Sequence, residues 1–204
     1  MPGTCTKDTI LSISLSLFSR RGFQGVSIRD ICKEVHIRES SIYYHFENKR
    51  AILEELKVRF AAISSEKMQQ LEDAMADPFA KMGLAGETIS RIYFEDYLMN
   101  DFCNQFMRLL QIEHNENAEM ANLYNEWMFE KPLNFQSKVF SALMEKQCIH
   151  SIDSAYLAVQ YYAPIFLYCE RYLLSGELTE EKKEAFRQKA YAHCYHFFQN
   201  LEAV

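Results

Sequence analysis

Between Ser27 and Lys49 the chain concentrates side chains suited to one kind of chemistry. Arg38, Ser40, Ser41, Tyr43, Tyr44 and His45 fall within one short run, and Lys49 follows close behind. A guanidinium matches the acceptor pair on a guanine edge, and short hydroxyls and phenols donate to phosphates or bases. This chemistry is recognition of a nucleic acid. The sequence holds no G-x-S-x-G, P-loop, H-E-x-x-H or glycine-rich dinucleotide turn. It therefore argues against an enzyme and calls for no cofactor and no metal.

Such groups act together only if short helices hold them in a fixed relation. Ser27 precedes Ile28-Arg29-Asp30-Ile31, a serine with an acid three residues on, which predicts a capping box and a helix over 28–35. His36 and Ile37 form a turn, and a second short helix runs from Arg38 to Tyr44. Asn48 then caps a long amphipathic helix whose apolar residues Ile52, Leu56, Phe60 and Ile63 recur at helical steps, ending near Asp77-Pro78. Residues 7–21 carry two patterns. Leu11, Ile13, Leu15 and Leu17 alternate with serines as in a strand, whereas Ile10, Ile13 and Leu17 also fit a helix. Arg20-Arg21-Gly22, cations followed by glycine, reads as a helix end and favours helix. Three short helices with a tight turn are a helix-turn-helix plan, whose third helix enters the major groove. Here that helix carries Arg38, Glu39, Ser40, Ser41, Tyr43, Tyr44 and His45. Lys49, in the first turn of the next helix, adds charge where a helix N-terminus already favours phosphate.

The net charge over 204 residues is −6, which by itself argues against a nucleic acid. It divides unevenly: residues 1–60 hold ten Lys/Arg against seven Asp/Glu, and residues 61–204 hold twelve against twenty-one, so +3 precedes −9. Glycine and proline together number 10, about 5% against an average near 12%. An all-β fold needs more turn residues than that, so the chain is expected to be all-α. With no stretch of 18 apolar residues and no basic-then-apolar leader, a cytoplasmic location without membrane contact is expected. Cys5, Cys32, Cys103, Cys148, Cys169 and Cys194 are scattered, which suits free thiols in a reducing compartment.

The run Ile10-Leu11, Leu17-Phe18, Gly22-Phe23, Val26 through Cys32, Val35-His36-Ile37 and Ser41 through Lys49 resembles the DNA-binding domain of the TetR family of bacterial transcription regulators. The segment Ser41-Ile42-Tyr43-Tyr44-His45-Phe46-Glu47-Asn48-Lys49 matches that family's third-helix hallmark closely. The resemblance covers about residues 6–55. It implies DNA contacts at Arg29, Ser41, Tyr43, His45 and Lys49, a capping Ser27 that lies near phosphate, and a small core of Ile31, Ile42 and Phe46. The chain departs from the family pattern at His36, where glycine is usual, at Arg38, where a capping serine is frequent, and at Cys32, where alanine is usual. The implied organisation is a head over 1–50 and a body over 51–204. The body would bind a small molecule, form a homodimer and set the spacing of two heads on a palindromic operator, with repression the family default.

In the body, helices are expected near 84–100, 101–113, 117–147 with a kink or break at Pro132, 152–174, and from Thr179-Glu180-Glu181 onward. Tyr93, Tyr97, Phe102, Phe106, Met107, Trp127, Met128, Tyr162 and Phe166 supply an aromatic and methionine-rich candidate pocket for a hydrophobic effector; Phe94 and Tyr161 belong to the same supply, and all are equally suited to an ordinary core. Phe166, Leu173, Phe186, Ala190, Cys194, Phe197 and Leu201 are the candidate dimer surface, two helices from each chain forming a four-helix bundle. His193, Cys194 and His196 give the spacing of a metal site only if Cys194 leaves the apolar stripe. Glu113-His114 reads as a solvated helix end or, alternatively, as an acid–base pair touching ligand. A thiol sensor at Cys103 or Cys169, or a helical partner-binding protein whose head no longer binds DNA, is the alternative to a regulator.

Overall fold

The computed structural model describes residues 7–76 and 82–202. Among them the fold is all-α, with no strand. Cys5 and the helix end expected at Asp77-Pro78 lie outside the described residues.

Four helices build the N-terminal part: α1 (Lys7–Arg21), α2 (Ile28–Val35), α3 (Glu39–His45) and the long α4 (Lys49–Ala76). The strand-like alternation in α1 is overridden by tertiary packing. Ile10, Leu11, Leu15, Leu17 and Phe18 are all buried, and Ser14 sits among them. Gly22, at φ +70°, ends α1 in the left-handed region. The α2 cap forms as its sequence dictates: the Asp30 amide donates to Ser27 Oγ at 3.1 Å, and the Ser27 amide donates to Asp30 Oδ2 at 2.8 Å. His36 takes φ +60° and donates its amide to the Cys32 and Lys33 carbonyls, doing the work usually given to glycine. Arg38 starts α3 without a side-chain cap bond. Asn48 caps α4 through Oδ1, which accepts from the Ala51 amide at 2.9 Å.

The body comprises α5 (Met82–Arg91), α6 (Asp101–Glu113), α7 (Ala118–Asn125), α8 (Lys131–Glu145), α9 (Ser154–Tyr168) and α10 (Glu180–Glu202). Three π-helical segments extend them: Ile92–Leu98 after α5, Glu126–Glu130 between α7 and α8, and Cys169–Leu174 after α9. The helix expected across 117–147 is therefore continuous rather than broken at Pro132. Pro132 stands in the first turn of α8, directly after the π segment, where a missing N–H is tolerated. Proline still leaves the carbonyl four residues earlier, Met128, without its α-helical donor. The Tyr162 hydroxyl of α9 donates to that carbonyl at 2.7 Å.

Packing joins the parts. Helix α1 lies on α6, α4 runs past α1, α6 and the first π segment, and α8 and α9 form the most extensive pair, with α10 over α9. The buried core is continuous from Ile10 in α1 to Cys194 in α10, with Phe60 of α4 stacked on Phe106 of α6 at 4.4 Å. A small satellite cluster of Leu71, Ile92 and Phe135 stands apart from it. No helix of the described residues is long and apolar enough to cross a membrane.

Candidate nucleic-acid interface

Helix α3 spends only Ile42 on the core, with Phe46 just after it. This leaves Ser40, Ser41, Tyr43 and Tyr44 exposed and His45 half-buried. Tyr44 is 86% exposed and Tyr43 52%. An exposed tyrosine pair on a seven-residue helix contributes little to stability, so its presence points to an external partner. Arg38 is exposed at the helix start. Ser27 and Arg29, from the cap and first turn of α2, are exposed as well. Arg29 Nε donates to Glu39 Oε1 at 2.9 Å, an exposed ion pair between α2 and α3. Glu39 therefore neutralises one of the cations expected to meet phosphate.

Lys49 occupies a different place from the one its sequence position suggests. Its ammonium donates to the carbonyls of Phe23 and Val26, each at 2.7 Å, and lies 4.2 Å from the centre of the Phe23 ring. Burial lowers its pKa, and the Glu113 charge opposes that shift. The reason is geometric: the first turn of α4 lies against the turn between α1 and α2, whose carbonyls have no helical donors. Lys49 fastens that turn from inside instead of facing outward to phosphate.

The same turn is held from the body. Glu113, the last residue of α6, accepts from the Phe23 amide at 2.8 Å. Gly22 comes close to this carboxylate, and its φ of +70° is what calls for glycine there. His114 stacks on Tyr124 at 4.5 Å, and the Tyr124 hydroxyl donates to Glu170. Glu113-His114 is thus a junction between head and body, rather than a solvated helix end or a ligand-touching pair.

Within the body, a cavity of about 30 Å³ lies between α4, α5, α8 and α9. Of the candidate pocket residues, Tyr93 and Tyr162 line it. Tyr97, Phe106, Met107, Trp127 and Met128 are buried core elsewhere, and Phe102 and Phe166 are half-buried against that core. Phe94, Tyr161, Ser90 and Gln136 complete much of the lining, and sequence periodicity does not single out Ser90 or Gln136.

Burial divides the candidate dimer residues. Leu173, Phe186 and Ala190 are fully buried within the one chain, and Cys194 is 8% exposed. Phe166, Phe197 and Leu201 pack half-buried on the same core. Leu173, Phe186 and Ala190 thus seat α10 and the last π segment on their own chain, while Phe166, Phe197 and Leu201 keep part of their surface. What α9 presents outward is Tyr156, Val159, Ala163 and Leu167, at steps of three, four and four.

Two alternatives lose their basis here. Cys103 is fully buried and its thiol is pushed up to about 12 by burial, while burial also raises Cys169 strongly; neither has the thiolate character of a sensor. His193 Nε2 meets the Tyr161 carbonyl at 2.8 Å and Cys194 Sγ meets the Tyr161 hydroxyl at 3.1 Å, so both are occupied by α9.

Comparison with known proteins bears on this geometry. Residues 10–56 match the model described as bacterial regulatory proteins, tetR family. The chain is similar to the biofilm operon icaADBC HTH-type negative transcriptional regulator IcaR of Staphylococcus aureus (strain Newman), with 43% identity over 49 residues, 24% of this chain and 26% of that protein. The matched segment thus spans about a quarter of the length of that relative. Over nearly the whole chain the fold is similar to the TetR-family regulator PfmR from Thermus thermophilus, at a TM-score of 0.63 and 16% identity, covering 90% of this chain and 96% of that one. It is similar also to the fatty acid degradation regulator FadR from Bacillus halodurans, at 0.62 and 14%, covering 96% and 93%.

Proposed function

We propose that this chain, which belongs through its head to the TetR family of bacterial regulatory proteins, is a ligand-responsive transcriptional repressor. It acts in the cytoplasm as a homodimer on a palindromic operator, with residues 1–50 as reading head and 51–204 as body. The observation that carries this reading is the outward row of α3, where Arg38, Ser40, Ser41, Tyr43 and Tyr44 face solvent while Ile42 alone anchors the helix. Tyr43, Ser41 and Ser27 suit phosphate contacts, and Arg38, Ser40 and Tyr44 have the chemistry to read base edges. Arg29 and His45 flank them. Lys49 supports them by fastening the turn behind α2.

A dimer of such heads needs about 34–36 Å between recognition helices to reach successive major grooves. The outward stripe of α9, Tyr156, Val159, Ala163 and Leu167, supports α9 against its partner copy as the dimer seam. A small hydrophobic or aromatic effector entering the body would act through α4. Met68 and Leu71 of α4 line the cavity, and Lys49 grips the head turn roughly 30 Å of helix away. An effector that favours a displaced α4 shifts the head spacing by its differential affinity for the two forms.

The test is a panel of operator variants drawn from the DNA upstream of the chain's own gene. Tyr43→Phe should weaken binding to every sequence by a similar factor, whereas Arg38→Ala should change the preferred sequence. If both leave affinity and preference untouched, α3 is not the reader. Leu167→Glu should yield a monomer by sedimentation and lose operator binding; a persisting dimer would remove α9 from the seam.

A further inference from the structure

The cavity in the body has a chemistry more specific than hydrophobic. Its aromatic wall is Tyr93, Phe94, Tyr161 and Tyr162, with Phe135 opposite. Two of its hydroxyls are already engaged: Tyr93 donates to the Tyr162 oxygen at 3.2 Å, and Tyr162 donates to the Met128 carbonyl at 2.7 Å. Tyr161 meets Cys194 at 3.1 Å. Gln136 differs. It is 8% exposed and lines the cavity, and its amide is not tied to any of the three tyrosine hydroxyls. A primary amide both donates and accepts, so it can bond an occupant that offers both functions. Among the described residues lining the cavity none is an acid, a lysine, an arginine or a histidine. A charged ligand would be desolvated there with no counter-charge, which is strongly unfavourable.

We infer that the molecule this cavity opens to accept is uncharged and aromatic, bearing one amide-like group that both donates to and accepts from Gln136. The inference rests on the reading of the body as an effector domain and names the class of its effector. At about 30 Å³ the cavity is well below the roughly 150 Å³ that takes benzene, so binding requires it to widen. The outer wall is suited to that. Leu71 and Phe135 belong to the small satellite cluster, with half-buried Met68, Ile89 and Tyr93 packed on it, and methionine readily repacks. Widening there displaces α4, the helix that reaches the head.

Three probes sharing one ring separate the possibilities in the full chain: benzamide, benzoate and toluene. The methyl groups of Met68, Ile89 and Ile165, observed by carbon-13 methyl NMR at pH 7.5, report occupancy. Benzamide is expected to move these methyls saturably, with benzoate at least tenfold weaker. Gln136→Leu should weaken benzamide about tenfold, as expected for one hydrogen bond, while toluene binds both proteins alike. Gln136→Met gives the same comparison if the leucine variant folds poorly, and the benzamide–benzoate contrast needs no variant. Benzoate equal to benzamide, an unchanged benzamide affinity in the Gln136 variants, or no methyl response to benzamide each overturns the inference. A mobility shift with DNA on the same preparation separates the two readings. Benzamide binding without DNA binding overturns the regulator; DNA binding without a benzamide response overturns the effector class.

Discussion

In the head, helix ends are closed by side chains from the local sequence: Ser27 with Asp30 on α2, and Asn48 on α4. Polar groups of α3 face solvent, and one apolar residue holds it down. In the body, polar groups turn inward, and several bond across long sequence separations. Tyr93 bonds Tyr162 over 69 residues, Tyr162 bonds Met128, and Asn104 donates to the Leu173 carbonyl at 3.0 Å. The body's helices pass through three π segments, a form frequent at functional sites. The head thus presents a polar surface, whereas the body directs its polar groups into a packed interior. On the proposed function the contrast is between a reader and a sensor, joined through α4 and the Gly22–Glu113–Lys49 junction.

Perturbations rank by how deeply they enter that contrast. Phe60 is fully buried in α4 and stacks on Phe106 of α6; Phe60→Ala should cost about 3–5 kcal/mol. Because the core is continuous, urea unfolding followed by circular dichroism should show one transition for head and body. Two separated transitions would mean the parts are thermodynamically independent. Lys49→Met removes the donor for two carbonyls and should cost about 2 kcal/mol. It should weaken DNA binding by loosening the turn behind α2, which thermal melts and binding on the same sample would resolve. A variant of unchanged stability but weakened DNA binding would restore Lys49 to the surface. Ser27→Ala, losing the α2 cap, should cost about 1 kcal/mol.

Two smaller effects belong to the head alone. Glu39→Ala breaks an exposed pair and should change stability by no more than about 0.5 kcal/mol. It frees Arg29, so affinity for DNA of any sequence should rise several-fold at low salt. The Asp30 carboxyl is held below its ordinary value, chiefly by the Ser27 amide, then the Ser27 hydroxyl, against an opposing effect of burial, with Arg21 adding a lesser lowering. A lowered folded pKa contributes stability that is present above the unfolded value and lost as pH falls through the folded one. Wild type should therefore exceed Asp30→Asn in melting temperature at pH 6, with the gap closing below about pH 4. A gap independent of pH would assign the cap to geometry rather than charge.

The same contrast decides what is legible in the sequence. The head's caps, the turn at His36 and the third helix follow from local residues, because each depends on neighbours within four positions. The body's helices are also readable, including the approximate ends of α6 and α9. Its functional surface is not. Helix α9 is apolar round most of its circumference, so periodicity does not say that Leu157, Tyr161 and Ile165 face in while Tyr156, Val159 and Leu167 face out. Phe186 and Ala190 give a stripe indistinguishable from a dimer seam, because a stripe records burial and not the identity of the covering chain. The roles of Lys49 and Glu113 are hidden for another reason: their partners at Phe23 and Val26 lie far off in sequence and are backbone atoms.

The central claim is that α3 presents a DNA-reading surface, and salt tests it most directly. Binding to the fragment upstream of the chain's own gene should be measured by mobility shift between 50 and 200 mM salt, with dissociation constants at each step. Six to ten phosphate contacts in a dimer predict a loss of about 10³–10⁵-fold across that range. A dissociation constant that stays flat with salt, or no binding to any genomic fragment at 50 mM, would contradict the account.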